Sequence, residues 1–187
     1  MRGLLLVVVL LLSACGAPQV SPGPQVDVAT EQLRQLKKEA GIEDCPSTDG
    51  AKVDTELPSV ELPCLGGGRA VQLDELKGPM VLNLWAQWCG PCRAELPHYQ
   101  AFATKHPDIE VLGIDWNDTQ PALALELAKK SGVTYPLLAD TEPKIRGQVL
   151  PRVLLIDEHG KVVHDEAVEI KSVAQLEQMV AEHLGAS

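Results

Sequence analysis

Val81-Leu82-Asn83-Leu84-Trp85-Ala86-Gln87-Trp88-Cys89-Gly90-Pro91-Cys92 is the stretch that decides the fold. Met80–Ala86 is an apolar run of the length of a buried strand. It leads straight into a Cys-x-x-Cys that opens a helix expected from about Gly90 to Lys105. A spacing of three puts both cysteines on one helix face, close enough for a disulfide of about 2.05 Å. Cys89 falls at the helix start, where the macrodipole and free N–H groups favour thiolate over thiol. Cys92 lies one turn in and is more shielded. Attack by Cys89 on a disulfide, formation of a mixed disulfide and resolution by Cys92 follow from that arrangement. A lone Cys-x-x-Cys is also half a zinc site. Here no second such pair exists, and His98, His106, His159 and His164 are scattered, so no metal is expected.

Outward from this core, strands are expected at Ala70–Leu73, Ile109–Asp115, Tyr135–Leu138, Val153–Asp157 and Lys161–Glu166. The last two are joined by the hairpin signal Glu158-His159-Gly160. Asp74–Leu76 reads as a turn of helix closed by Gly78-Pro79. Helices are expected at Gln120–Ser131, with Pro121 acceptable in the first turn, at Glu142–Gly147, and at Ser172–Leu184 with Ser172 as N-cap. Upstream, Thr30–Ala40 reads as a short amphipathic helix with Leu33 and Leu36 inward, stopped by Gly41. Residues 42–63 read as a long loop. The order is that of an α/β protein, a mixed sheet with helices on both faces.

The 187 residues carry a formal net charge of −10 and 45% hydrophobic residues, with only 3% aromatics. One well-buried domain of Leu, Val, Ile and Ala fits. An acidic surface repels phosphate backbones, so no nucleic-acid partner is expected.

The chain start reads as an export signal. Arg2 precedes an apolar run, Gly3–Leu12, too short to span a bilayer, ending Leu12-Ser13-Ala14-Cys15. That ending resembles a bacterial lipobox, which implies a signal peptide over 1–14 and a lipidated Cys15 as membrane anchor. The chain would then lie outside the cytoplasm, or be secreted if the lipobox is not used. Residues 15–28 are rich in Pro and Gly and read as a tether. A helix and stapled loop follow at 29–56, and the main domain at 57–187. In an oxidising compartment the two remaining cysteines, Cys45 and Cys64, suit a structural disulfide. Two free thiols, or a relay pair for Cys89 and Cys92, are the alternatives.

Trp-Cys-Gly-Pro-Cys-Arg-Ala-Glu-Leu-Pro, residues 88–97, resembles the exported thioredoxin-like proteins of the TlpA/ResA type, related to the AhpC/TSA redoxins. The resemblance runs from about Leu57 to the C-terminus. It implies a thioredoxin fold with an element inserted at Pro121–Gly147. It also implies that Pro151 is the family's cis-proline facing the Cys-x-x-Cys, and that Glu95 tunes the site and handles its proton. Asn83 stands where thioredoxins keep a buried Asp. Gly90 and Pro91 are the thioredoxin dipeptide. Trp88 borders Cys89, whereas Trp85 packs inside. Asp115–Asp118 reads as a polar loop at a strand end.

The implied activity is thiol–disulfide exchange on exported proteins, with no cofactor beyond the Cys89–Cys92 disulfide and with a membrane thiol shuttle supplying electrons. Reduction, including of apocytochrome c thiols, is the preferred direction, and oxidation in the DsbA manner the alternative. A peroxidase would need a Pro-x-x-x-Thr-x-x-Cys loop, absent before Cys89. Copper carriers on this scaffold usually show Cys-x-x-x-Cys.

Overall fold

The computed structural model describes residues 25–185. The expected signal peptide, Cys15 and most of the tether lie outside the described residues. In chain order the elements are α1 (Glu31–Ala40), β1 (Glu61–Leu62), β2 (Val71–Gln72), a 3₁₀ turn (Leu73–Glu75), β3 (Met80–Trp85) and α2 (Gly90–Lys105). Then come β4 (Glu110–Trp116), α3 (Pro121–Lys130), β5 (Leu137–Asp140), β6 (Arg152–Ile156), β7 (Val162–Glu166) and α4 (Val173–His183).

The five-stranded sheet has the order β5-β4-β3-β6-β7. β3 is central, parallel to β4 and antiparallel to β6, so all six of its residues are buried. A continuous apolar run is what a strand covered on both faces requires. β4 and β5 are parallel; β6 and β7 form the expected antiparallel hairpin. β1, not expected from the sequence, pairs with β2 as a separate ribbon.

The α/β class and the mixed sheet stand, but the layering differs from the expectation of helices on both faces. The buried residues of all four helices share one core with Val81, Trp85, Val111, Val153 and Leu155. The other face carries Leu82, Leu84, Leu112, Ile114, Leu154 and Ile156. It is covered by Leu57, Leu62, Leu73 and Ile145, from the 42–63 segment, the ribbon, the 3₁₀ turn and the β5–β6 connection. The physical reason is the direction of winding. β3-α2-β4 and β4-α3-β5 both step the same way across the sheet, and right-handed crossovers then land on the same face. α4 packs on α2, and α1 on α3.

The helix expected at Glu142–Gly147 does not form. Asp140 accepts hydrogen bonds from the N–H groups of Lys144 (2.9 Å) and Ile145 (3.0 Å), and Trp116 Nε1 donates to the Ile145 carbonyl at 2.7 Å. Side-chain partners thus take backbone groups a helix would use, and Pro143 cannot donate. β5 starts at Leu137 rather than Tyr135, because Pro136 has no N–H for the ladder.

The helix ends follow their caps. Thr30 Oγ1 accepts from Leu33 N, and Gly41 closes α1 in the left-handed region at φ 69°, where glycine is favoured. Ser172 accepts from Gln175 N at α4.

Candidate active site

Cys89 and Cys92 lie where β3 ends and α2 begins. The chain leaves Trp85, turns through Ala86–Trp88 with Cys89 N–H donating to the Ala86 carbonyl (3.1 Å), and enters the helix. Cys89 is the N-cap residue: its Sγ accepts from Cys92 N at 3.3 Å. An N–H aimed at the sulfur stabilises negative charge there. The two sulfurs are bonded at 1.98 Å. Cys89 is 6% exposed and Cys92 fully buried, so an incoming thiolate reaches Cys89 first. Gly90 has nothing within 4 Å of where a side chain would sit, which leaves the approach open. Pro91 occupies the first turn, where its missing N–H costs nothing.

Glu95 lies one turn beyond Cys92 and is fully buried. Oε2 accepts from the Ile170 N–H at 2.9 Å; Oε1 has no partner among the described residues. Burial pushes its pKa up to about 8, partly offset by the Ile170 N–H and reinforced by the charge of Glu169. A carboxyl so placed carries a proton at neutral pH and can give it up just above. α2 continues through Pro97.

Leu150–Pro151 is a cis peptide, as is Gly78–Pro79. Pro151 is buried at the start of β6. Next to it, Arg152 makes two hydrogen bonds to Asp165 on β7, at 2.6 and 2.7 Å. Trp85 is buried and Trp88 is 51% exposed. Gly113 makes room for Trp85: a Cβ there would lie 3.1 Å from the indole nitrogen and 2.5 Å from Leu137.

The Asp115–Asp118 segment is more than a polar loop. Asp118 is buried; its oxygens accept from Gln87 N (3.2 Å) and Gln120 N (2.8 Å). Trp88 Nε1 donates to the Asn117 carbonyl at 3.1 Å. The loop therefore clasps the residues that lead into Cys89. Asp115 pairs in register with Trp85 and is fully buried, with no hydrogen-bond partner for either oxygen among the described residues. Burial, and then the charge of Asp118, push its pKa well above the carboxylate range. Asn83 is also fully buried, without a hydrogen-bond partner among the described residues, and the Asp115 carboxyl lies on the neighbouring strand, two positions along from the Asn83–Gly113 pair. The signal available in the sequence was a strand running into acidic residues rather than ending at a turn.

Cys45 and Cys64 are bonded at 1.98 Å, 19 residues apart. Among the described residues no group of three or more His, Cys, Asp or Glu side chains is placed to hold a metal ion.

A parallel-centred sheet with a Cys-x-x-Cys at the start of the helix after its central strand, and a cis-proline at the start of an adjacent strand, defines a thioredoxin-fold dithiol–disulfide protein. The family model described as "AhpC/TSA family" matches residues 53–165. The thiol-disulfide oxidoreductase ResA of Halalkalibacterium halodurans is 29% identical over 123 residues, 63% of this chain and 67% of that protein. ResA of Bacillus subtilis is 34% identical over 104 residues, 51% of this chain and 57% of its own length. The chain thus spans between about half and two thirds of these relatives. The thiol:disulfide interchange protein DsbE homolog of Paracoccus denitrificans is 30% identical over 135 residues, 67% of this chain and 72% of that one. The solved structure of MTB dsbF, in mixed oxidised and reduced forms, superposes with a TM-score of 0.59 at 26% identity, over 66% of this chain and 94% of that one. The chain belongs to the AhpC/TSA family and, within it, to the thiol-disulfide oxidoreductases of the ResA/DsbE type.

Proposed function

We propose that this protein is a lipid-anchored thiol–disulfide oxidoreductase outside the cytoplasm that reduces disulfides of exported proteins, apocytochrome c among them. The observation that carries the reading is the pairing of an accessible Cys89, at a helix start, with a shielded Cys92 one turn from a buried, proton-holding Glu95. In the reduced protein the Cys89 thiolate attacks one sulfur of the substrate disulfide. The bond to Cys89 forms, the substrate's S–S bond breaks and its other sulfur leaves as thiolate. Once Glu95 has released its own proton, its carboxylate takes that of Cys92, which then attacks Cys89 and releases the second substrate sulfur as thiolate. Two electrons pass to the substrate and the Cys89–Cys92 disulfide is left. The peptide at Pro151 offers backbone to a substrate strand alongside. A membrane thiol shuttle returns the electrons.

The Gly90-Pro91 pair supports reduction, since thioredoxin, which shares it, has a potential of about −270 mV. The test is equilibration of the Cys89/Cys92 pair with thiol buffers, followed by thiol trapping and mass spectrometry. A value near or below that of thioredoxin is expected. A value near that of DsbA, about −120 mV, would make the protein an oxidant and overturn the direction. Lipidation at Cys15 is read separately, by the mass of the mature N-terminal peptide.

A further inference from the structure

The second disulfide has two unlike ends. Lys37, on α1, is a buried lysine. Its Nζ donates to Asp44 Oδ1 at 2.8 Å and to the Gly67 carbonyl at 3.0 Å, and its third contact is Cys64 Sγ at 3.5 Å. An ammonium has three N–H donors and no others, so one of them is spent on a sulfur. A bonded sulfur is a weak acceptor; a thiolate is a strong one. Cys45 Sγ lies instead 3.3 Å from the Leu137 carbonyl oxygen, which can only accept. That side of the bridge is built for a thiol, which can donate to a carbonyl, and the other side for a thiolate. Access runs the same way. Cys45 is 7% exposed, much as Cys89 is at 6%, whereas Cys64 is 1% exposed.

We propose that the Cys45–Cys64 bridge is a second thiol–disulfide exchange site, attacked at Cys45 by a dithiol reductant, with Cys64 leaving as a thiolate beside Lys37. The reductant's thiolate forms a bond to Cys45 Sγ while the Sγ–Sγ bond breaks, and the electron pair goes to Cys64. The reductant's second thiol then attacks its own sulfur, closing the reductant's disulfide and releasing Cys45. Cys45 takes up that proton and donates to Leu137 O. Two electrons have moved from reductant to bridge. Leaving-group thiols stabilised as anions depart faster, and the attacked sulfur is the one the nucleophile can reach. This site is independent of the Cys89/Cys92 reading.

The experiment uses the Cys89→Ser/Cys92→Ser chain, so that only the bridge is scored and the outcome does not depend on the first site. Incubation with reduced glutathione, quenching with an alkylating reagent and peptide mass mapping are expected to find the glutathione adduct on Cys45 and the alkyl group on Cys64. Lys37→Met is expected to slow opening of the bridge by dithiothreitol by roughly tenfold, with Lys37→Arg close to the parent rate. Adducts on Cys64 or spread evenly, an unchanged rate in Lys37→Met, or opening only where the protein unfolds would each overturn the proposal. If Lys37→Met does not fold, the Cys45→Ser variant decides. Its Cys64 is expected to titrate, by ultraviolet thiolate absorbance, below the free-cysteine value of about 8.5. Titration at or above that value would overturn the assignment.

Discussion

Asp118 holds the backbone N–H of Gln87 at 3.2 Å, so a loop after β4 sets the path of the chain two residues before the attacking cysteine. The same carboxylate holds the N–H of Gln120 at 2.8 Å, at the N-cap of α3. Asp118→Ala leaves both N–H groups without their partner, each in a part-buried contact. The expected loss is about 2 kcal/mol, read from denaturant midpoints of the oxidised and reduced forms. A larger loss in one form than in the other would show as a shifted Cys89/Cys92 potential. Equal stability of variant and parent would remove Asp118 from any part in shaping the loop.

Glu95 predicts a pH dependence of known sign. Its pKa is raised from 4.5 to about 8 by burial, so the folded protein keeps a proton that the unfolded chain releases. The resulting stability is fully present below about pH 4.5 and is lost as pH rises through about 8. The change attributable to this group is on the order of 5 kcal/mol. Glu95→Gln is expected to flatten that limb of the stability–pH curve. It should also abolish the inflection near pH 8 in the rate of disulfide reduction. A variant whose two profiles overlay those of the parent would count against the assignment.

Asp140→Ala tests why residues 141–151 are not helical. Removing the carboxylate frees the N–H groups of Lys144 and Ile145. Faster amide exchange at those two residues is expected, with a destabilisation of about 1–3 kcal/mol. Unchanged exchange there would mean that the packing of Ile145, not Asp140, holds the segment.

Phe102 is the single phenylalanine of the chain, fully buried and stacked on His106 at 4.7 Å between ring centroids. In a core otherwise dominated by aliphatic side chains, Phe102→Ala is expected to cost about 3–5 kcal/mol without moving the Cys89/Cys92 potential. Calorimetry and thiol trapping on one preparation check both halves.

The sequence made the central strand and the helix after it legible residue by residue, because one apolar run and one helix-start motif left no competing period. α2 falls at Gly90–Lys105 as expected, and the caps at Thr30, Gly41 and Ser172 bound their helices. What could not be read was long-range. β1 is two residues long and exists through its pairing with Val71 and Gln72. The missing helix at 142–147 depends on Asp140 and Trp116 reaching backbone groups that no local propensity reveals. The layering followed from strand order, which the linear pattern leaves open. In the site, Glu95 was pointed to by the family resemblance, and its burial one turn beyond Cys92 is what the fold adds. Asp115 and Asp118 were not legible, because only the register with Trp85 and the contact with Gln87 bring them to the cysteines.

The one-sided stacking of helices also sets an order of events in folding. On the helical face β3 with α2 and β4 with α3 are neighbours in sequence, and such contacts close quickly. Yet α2 waits for α4, and the core waits for Val153 and Leu155 of β6. The opposite face joins residues 57–76 to Leu154 and Ile156, partners some eighty to a hundred positions apart. During synthesis that first segment emerges long before β6 exists to receive it. Its apolar side chains find Leu82, Leu84, Leu112, Ile114 and Leu138 before they find β6, and the short 19-residue span from Cys45 to Cys64 can be closed in the meantime. Nascent chains halted before residue 150 would therefore leave both faces of the sheet open beside β3, the helical one also without α4, and a holdase would be expected to bind there.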